Sequence, residues 1–410
     1  MTNKERSIVW FREDLRTDDN PALRRAADRG APVICLFILD DDAPGEFKYG
    51  GASRWWLHHA LDSLSEKLDS AGSRLILRRG KAEKILPEVI ENAGADRIYW
   101  NRRYAPYHLE TDKSLKESLE DDVEVITCNG RLLFEPWEIR NKSGDPYRVF
   151  TPFWKTLQKQ GQPREPLPAV QKLQAPSELP ASDALDDWGL LPKQPDWAKH
   201  FPDTWTPGQD GAKQRLRDFL DELIDAYPDD RDRPDIDGTS RLSPHLHFGE
   251  ISPNQVWYAT KHREDDGKIS NKGTQKFLSE LAWREFSYSL IYYNPSMLEK
   301  ELQEKFRDFP WQTSRKRLEA WQKGETGYPM VDAGMRQLWK TGWMHNRVRM
   351  IVGSFLVKHL LLDWRDGMHW FWDTLVDADI GNNTASWQWI AGCGADAAPY
   401  FRIFNPMTQG

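Results

Sequence analysis

The sequence predicts an α/β domain with a doubly wound parallel sheet at the N-terminus, joined by a long linker to an all-helical domain. Three observations support this fold class. Short apolar runs alternate with amphipathic segments up to about residue 130, prolines and acids without a sustained period fill residues 158–207, and a helical period dominates from Gly211 onward. We therefore place the α/β domain at residues 1–130, the linker at residues 131–207 and the helical domain at residues 208–410.

The first domain alternates strands and helices in a regular order. Strands are predicted at residues 6–11, 33–39, 74–77, 97–100 and 123–126, and helices from about Pro21 and at residues 55–67, 82–92 and 109–119. No GxGxxG motif follows the first strand. A dinucleotide bound in the usual Rossmann manner is therefore not expected in this domain.

The linker carries isolated indoles that should hold it against both domains, namely Trp188, Trp197 and Trp205. Within it, residues 147–157 are interpreted as the start of a connector. Beyond the linker, helices are predicted at residues 214–227, 252–261, 273–293, 314–323, 330–340, 346–362 and 367–375.

The composition of the 410-residue chain excludes several classes of protein. A net charge of −7 excludes a globally basic nucleic-acid binder, so any DNA contact requires a local positive patch. The cysteines, Cys35, Cys128 and Cys393, form no CxxC pair, which argues against a disulfide framework and against a metal site. We find neither an apolar run of about 18 residues nor a leader, so we expect a cytoplasmic protein without membrane association.

Residues 377–389 contain two carboxylates, two carboxamides and two indoles, an unusual combination for a purely structural segment. Asp377 and Asp379 have apolar neighbours, where unpaired charge is costly to bury, so they predict a cation or a ligand's donors. Arg349 lies alone in an otherwise apolar helix and is the natural partner of one of these acids. The helix that contains the two indoles should end at the glycine-rich break at residues 392–394.

Two further segments have the features of a ligand site, each with a structural alternative. Residues 239–243, Thr-Ser-Arg-Leu-Ser, precede a helix whose N-terminus would bind phosphate, with Ser243 as its N-cap. The alternative is a capped helix without a ligand. In a later helix Glu280 and Trp283 share a face, which suits a cleft for a planar ligand, although Glu280 is equally typical of a solvated helix charge.

Several segments together resemble the photolyase/cryptochrome family, and most of all the microbial DNA photolyases that repair cyclobutane pyrimidine dimers. The matching segments are residues 9–16, 238–243, 280–286, 327–333, 342–350, 377–389 and 397–406. The resemblance implies light-driven DNA repair, in which excited reduced FAD passes an electron to a flipped dimer, the cyclobutane bonds split and the electron returns. The alternative is a blue-light receptor of the cryptochrome type that does not repair DNA.

The resemblance also implies that FAD is bound, folded, in the helical domain. Arg349 would pair with Asp377 near the isoalloxazine. Asp379 would accept hydrogen bonds from the ring and ribityl side, and Asn383 would face the flavin N5. The full set of cofactor-binding residues carried over is Tyr227, Thr239, Ser240, Arg241, Leu242, Ser243, Arg284, Trp343, Arg349, Asp377, Ala378, Asp379 and Asn383.

Three more functional sets follow from the resemblance. The pocket for the dimer would consist of Glu280, Trp283, Asn346, Met350 and Trp389. An electron relay from flavin to surface would consist of Trp387, Trp364 and Trp311, for which ordinary core packing is the alternative. DNA would contact Arg231, Arg347, Gln388 and Arg402. Enzymes that repair (6-4) photoproducts use histidines near Asn346 and Met350, so that substrate is not expected.

A second, antenna chromophore is expected in the first domain, near residues 54–56 and 100–108. Methenyltetrahydrofolate ranks above a deazaflavin or a second flavin, although Tyr107 and His108 stand where a folate-binding Asn-Glu pair would be expected. The expected partner is UV-damaged DNA, and the protein is expected to be a monomer. The chain ends at Gly410 inside a motif after which relatives continue, so we expect a truncated helical domain.

Overall fold

The first domain of the computed structural model, which describes residues 6–397 and 403–407, is a five-stranded parallel sheet with helices on both faces. Its strands lie in the order β3-β2-β1-β4-β5. The strands are β1 Ser7–Phe11, β2 Val33–Leu39, β3 Leu75–Arg79, β4 Arg97–Asn101 and β5 Glu124–Cys128, and the helices are α1 Pro21–Asp28, α2 Gly51–Ser70, α3 Ala82–Ala93 and α4 Pro106–Leu119. The predicted fold class is confirmed.

Side chains of the central strands alternate between two cores. Val9 and Phe11 of β1 pack with α1 and α2, whereas Ile8 and Trp10 pack with α3 and α4. Burial on both faces explains why the strands are nearly continuous apolar runs. The strand order reverses between β1 and β4, so the carboxyl ends of these two strands border a crevice of the kind that binds ligands in such sheets.

The linker contacts both domains, as predicted. The ring of Trp205 lies 5.4 Å from Trp56 of α2, and its indole N–H donates to the carbonyl oxygen of Thr341 in the helical domain at 2.7 Å. One element was not predicted: α5, Phe150–Lys159, is a regular helix within the segment interpreted as a connector.

The second domain is helical throughout its described residues. Its helices are α6 Gln209–Asp218, α7 Tyr227–Asp230, α8 Ser243–His247, α9 Pro253–Asp265, α10 Asn271–Tyr293, α11 Arg315–Lys323, α12 Pro329–Thr341, α13 Asn346–Ser354, α14 Trp364–Thr374 and α15 Ile380–Ala391. Among the residues that the structure describes, none of the helices has the length and apolar character needed to cross a bilayer.

Two predicted helices are interrupted by wide π-helical turns. The predicted helix at residues 214–227 breaks at Phe219–Leu223, and the one at residues 346–362 breaks at Phe355–His359. In both places an N–H bonds the carbonyl five residues back, at 3.0 Å. The apolar side chains stay buried through such a turn, so hydrophobic periodicity alone does not reveal it.

Three helices meet along α15 with a glycine at each contact, and the approach is tighter than most Cβ contacts only at Gly353. A Cβ at Gly381 of α15 would lie 3.6 Å from Ile291 of α10, and a Cβ at Gly353 of α13 would lie 3.3 Å from Ile390 of α15. Helix α15 therefore packs against both α10 and α13. Glu280, Asn346 and Trp389 are contributed by these three helices.

Candidate active site

Asp377 lies at the centre of a small polar cluster. Its Oδ2 accepts hydrogen bonds from Arg349 at 2.8 Å and from the Ser243 hydroxyl at 2.6 Å, whereas its Oδ1 is buried without a partner. The predicted pairing of Arg349 with an acid of this stretch is confirmed. The predicted N-cap is wrong: Ser243 is the first residue of α8, and its hydroxyl bonds Asp377 instead of a helical N–H.

Asp379 is the N-cap of α15. Its Oδ1 accepts from the main-chain N–H of Asn382 at 3.0 Å and from that residue's carboxamide at 2.9 Å, and its Oδ2 accepts from Arg131 at 3.1 Å and from the Tyr288 hydroxyl. Burial acts to raise the pKa of Asp379, but the donors and cations around it, His247 and Arg131 among them, hold that pKa well below its ordinary value. Both carboxylate oxygens are thus already engaged by the protein.

Arg131 is a buried cation that joins the two domains and that the sequence analysis missed. Besides Asp379, its guanidinium contacts the Glu13 carboxylate at 2.6 Å and the His247 carbonyl at 3.0 Å, and it donates to Tyr288. Burial acts to lower the pKa of Arg131, but these acidic neighbours raise it above its ordinary value, so the residue stays charged. The sequence feature that could have indicated this buried cation is the single arginine between Gly130 and Leu132, shortly after an apolar strand.

Two side chains of the predicted cofactor-binding set have buried polar atoms without a protein partner. One guanidinium nitrogen of Arg284 donates to the carbonyl of Arg131 at 2.9 Å, but its Nε and Nη2 are buried and unpartnered, as is Asp377 Oδ1. Burying such groups unpaired is costly. A polar ligand that offers an acceptor to Arg284 and a donor to Asp377 would satisfy both, as the predicted cofactor-binding set requires.

The other predicted cofactor residues differ in what they can offer. The Asn383 carboxamide donates to the Met368 carbonyl at 3.1 Å. Arg241 lies over the ring of Trp343 at 4.8 Å. Leu242 and Ala378 are core residues that can present only main-chain groups. Of the remaining members of the set, Tyr227 is buried at the start of α7, and Thr239 and Ser240 are half-buried in the loop before α8.

The residues predicted for the dimer pocket are partly accessible. Trp283, Met350 and Trp389 are half-buried and Asn346 is exposed. Glu280 is held by Lys276 at 2.9 Å and by Arg231. These side chains come from α10, α13 and α15, the helices that converge here.

The residues predicted to contact DNA differ in their exposure and in their partners. Arg347 pairs with Asp232 at 2.7 Å, so a phosphate would have to replace that acid, and Arg231 pairs with Glu280. Gln388 is wrong as a DNA contact. It is fully buried one helical step from Trp389, and its carboxamide donates to Met297 and Lys300 and accepts from the N–H of Leu302. Arg402 lies outside the described residues.

Two of the three predicted relay tryptophans lie on the neighbouring helices α14 and α15, and the third lies in the loop before α11. The Trp387 ring packs on Gly367 of α14, one turn from Trp364 at the start of that helix. Trp364 is fully buried and donates to Glu301 at 3.1 Å. Half-buried Trp311 precedes Gln312, whose N–H bonds the Leu361 carbonyl at 2.7 Å near that same helix start.

A narrow cleft lies at the carboxyl ends of β1 and β4 in the first domain. Arg103 is half-buried in its lining, its Nε is buried without a partner, and burial lowers the pKa of this guanidinium. Burial and the neighbouring arginines hold the pKa of His108 well below its ordinary value. Phe47 stacks on Tyr107 at 6.4 Å and makes an edge contact with Trp372 of α14, so both domains line the cleft.

Glu285 is a buried acid behind Arg284 and is expected to make stability depend on pH. Burial raises the pKa of Glu285 to about 7, despite the charge of Arg284 and a hydrogen bond from the N–H of Leu133. Between about pH 4.3, where an unfolded glutamate titrates, and about pH 7 the folded protein binds the extra proton, so stability falls as the pH rises. Between pH 5 and 8 the free energy of unfolding of Glu285→Gln should therefore fall by about 2 kcal/mol less than that of the wild type.

The measurement is denaturant unfolding of both proteins across this range. Glu319→Gln, at an exposed glutamate of α11, is the control and should leave the pH dependence of the wild type unchanged. Equal pH slopes for the wild type and Glu285→Gln would contradict the expectation.

Comparison with known proteins assigns the family. A family model for DNA photolyase matches residues 7–172, and one for the FAD binding domain of DNA photolyase matches residues 277–410. The chain therefore belongs to the DNA photolyase family, which includes cryptochromes, and its helical domain is a FAD-binding domain of that family.

Individual relatives agree with this assignment. The chain is 52% identical to the deoxyribodipyrimidine photo-lyase of Agrobacterium fabrum over 404 residues, which cover 98% of this chain and 83% of the relative. It is 36% identical to Cryptochrome-1 of Arabidopsis thaliana over 414 residues, 98% of this chain and 60% of the relative. The crystal structure of a bacterial class III photolyase from Agrobacterium tumefaciens matches with a TM-score of 0.96 at 51% identity, covering 100% of this chain and 84% of that one.

Proposed function

We propose that this protein repairs cyclobutane pyrimidine dimers in DNA by light-driven electron transfer. The observation that carries the proposal is the packing of α15 against both α10 and α13, the helices that contribute the predicted dimer-pocket residues. The unpartnered buried atoms of Arg284 and Asp377 support it, since such groups require a polar ligand. When bound, reduced FAD supplies the electron that opens the dimer and takes it back afterwards.

The side chains have separate roles in this proposal. Arg284 and Asp377 hold the cofactor with their unpartnered groups. Trp283 and Trp389 stack on the flipped bases, and stacking of about 1–3 kcal/mol per base offsets the cost of flipping. Glu280 hydrogen-bonds the dimer once Arg231 has moved to a DNA phosphate.

The decisive experiment is to irradiate an oligonucleotide that contains a thymine dimer with blue light, in the presence of the protein with reduced FAD. Repair restores the ultraviolet absorbance of the pyrimidines. The competing function is that of a cryptochrome, which the likeness to the Arabidopsis protein supports. Binding of FAD without any restored absorbance would favour the receptor and exclude the repair enzyme.

Trp389→Ala is expected to weaken binding of dimer-containing DNA. Loss of one stacked indole should raise its Kd about 5- to 150-fold, with intact DNA and bound FAD unaffected. Fluorescence anisotropy with labelled oligonucleotides measures the Kd, and flavin absorbance measures FAD. Trp339→Ala, at an exposed indole of α12, is the control. Loss of FAD from Trp389→Ala would show that the division between pocket and cofactor site is wrong.

Arg347→Gln is expected to reduce the salt dependence of DNA binding. The pair of Arg347 with Asp232 is half-exposed and worth at most about 1 kcal/mol, so a phosphate can replace the acid. Removing one phosphate contact should lower the slope of log Kd against log salt concentration by about 0.9. Arg24→Gln, in α1 of the first domain, should leave the slope unchanged. An unchanged slope in Arg347→Gln would remove this residue from the DNA interface.

We also propose that the cleft of the first domain holds the antenna chromophore, with methenyltetrahydrofolate ranked first. Arg103, with its buried and unpartnered Nε, suits a negatively charged ligand, and Tyr107 and Trp372 supply aromatic surface. Chromatography of small molecules released from the purified protein tests this, and a deazaflavin or a second flavin would replace the folate in the proposal. We further propose a cytoplasmic monomer, which sedimentation and cell fractionation would check.

A further inference from the structure

We propose that Phe150, a linker residue, is a positioning residue of the dimer pocket that backs the indole of Trp283. The inference rests on the proposed function. Phe150 is the first residue of α5, and its ring lies 3.7 Å from that of Trp283 with an angle of 9° between the planes. The two rings are in full face-to-face contact, and Phe150 is buried while Trp283 is half-buried.

This contact leaves Trp283 one face for a substrate. Phe150 covers the other face, and Phe286 makes an edge contact with the Trp283 ring at 5.8 Å and 76°. The indole is therefore fixed in its plane before any base arrives. A side chain that is already immobile loses less conformational freedom on binding, so the backing ring increases affinity for a stacked ligand without touching it.

The same residue is connected to the other indole of the pocket. The main-chain N–H of Phe150 donates to the Asp396 carboxylate at 3.3 Å, and the indole N–H of Trp389 donates to the carbonyl oxygen of Asp396 at 3.2 Å. Asp396 adopts a left-handed conformation, with φ of 53°. Trp283 and Trp389 are thus set relative to each other through one linker residue and one loop residue.

Substitution of Phe150 should weaken the binding of dimer-containing DNA and leave the binding of undamaged DNA unchanged. Phe150→Leu keeps an apolar side chain but removes the backing ring, and should raise the Kd for a thymine-dimer oligonucleotide about 2- to 12-fold. The Kd for the undamaged duplex, the bound FAD and the repair yield at saturating substrate should stay at wild-type values. Phe150→Tyr retains the stacked ring and should restore the affinity.

The matched control is Phe153→Leu. Phe153 is buried one turn further along α5 and packs against Phe286 at 5.3 Å, so its loss damages the same core without uncovering Trp283. Three results would overturn the role of Phe150 even if the wild-type protein repairs the dimer. They are equal effects of the two leucine variants, an equal change in Kd for damaged and undamaged DNA, and failure of Phe150→Tyr to restore the affinity. A wild-type protein that neither repairs nor prefers the dimer would overturn the proposed function, and this role with it.

Discussion

Replacing Arg131 with methionine is expected to lower the free energy of unfolding by about 3–5 kcal/mol, because the change leaves two buried carboxylates without their cation. Those acids are Glu13, which follows the first strand, and Asp379, which caps α15. Methionine fills a similar volume, so the loss of charge dominates. The midpoint of chemical unfolding at pH 7, followed by circular dichroism, measures the effect.

The control for this prediction is Arg140→Met. Arg140 lies in the same segment but is exposed. Its guanidinium donates hydrogen bonds to the carbonyl oxygens of Trp137 and Gly144. A loss in Arg131→Met no larger than in Arg140→Met would show that the buried acids find other partners. The result bears on function because Asp379 begins the helix that contains Asn383 and Trp389.

The depressed pKa of Asp379 has a further consequence at low pH. A carboxylate whose folded pKa lies below its unfolded value of about 3.9 adds stability above that value and loses it as the pH falls further. Arg131→Met should therefore show a weaker dependence of stability on pH below about 4 than the wild type.

The α/β domain was predictable because its central strands are buried on both faces and therefore show as short apolar runs. The sequence predicted that Arg349 pairs with one of the two nearby acids, since a cation in an apolar helix requires an acid. The structure shows that this acid is Asp377. Gln388 was carried over from the resemblance alone and was misplaced, because one helical step turns its side chain about 100° away from that of Trp389.

Other features of the site depend on contacts between distant parts of the chain. Arg131 meets Asp379 across 248 positions of sequence, and Phe150 meets Trp283 only after the linker has folded over α10. No local pattern in the linker indicates the partner of either residue. Sequence reasoning therefore located the helices of the candidate site but missed the linker residues that hold them in place.

Trp387→Phe is expected to abolish light-driven reduction of bound oxidised FAD by an external reductant. The proposed relay needs an oxidisable side chain between the cofactor and Trp364, and phenylalanine keeps the aromatic packing on Gly367 while being far harder to oxidise. Illumination with a thiol reductant, followed by the loss of flavin absorbance, measures the reaction. Repair by chemically reduced protein should continue, because the relay has no part in the electron's passage to the dimer and back.

The control is Trp321→Phe, since core packing is the competing explanation for every tryptophan of the relay. Trp321 is fully buried, and its ring lies 6.2 Å from that of Trp387 in an edge contact. Its indole N–H donates to the Val352 carbonyl at 3.0 Å, so its removal disturbs the same core at least as much. If photoreduction survives in Trp321→Phe but not in Trp387→Phe, the loss requires a relay. Both residues are buried, have the same size and pack in the same part of the core, so packing alone would affect them equally. Equal loss in the two variants would instead attribute the effect to the core around α14 and α15.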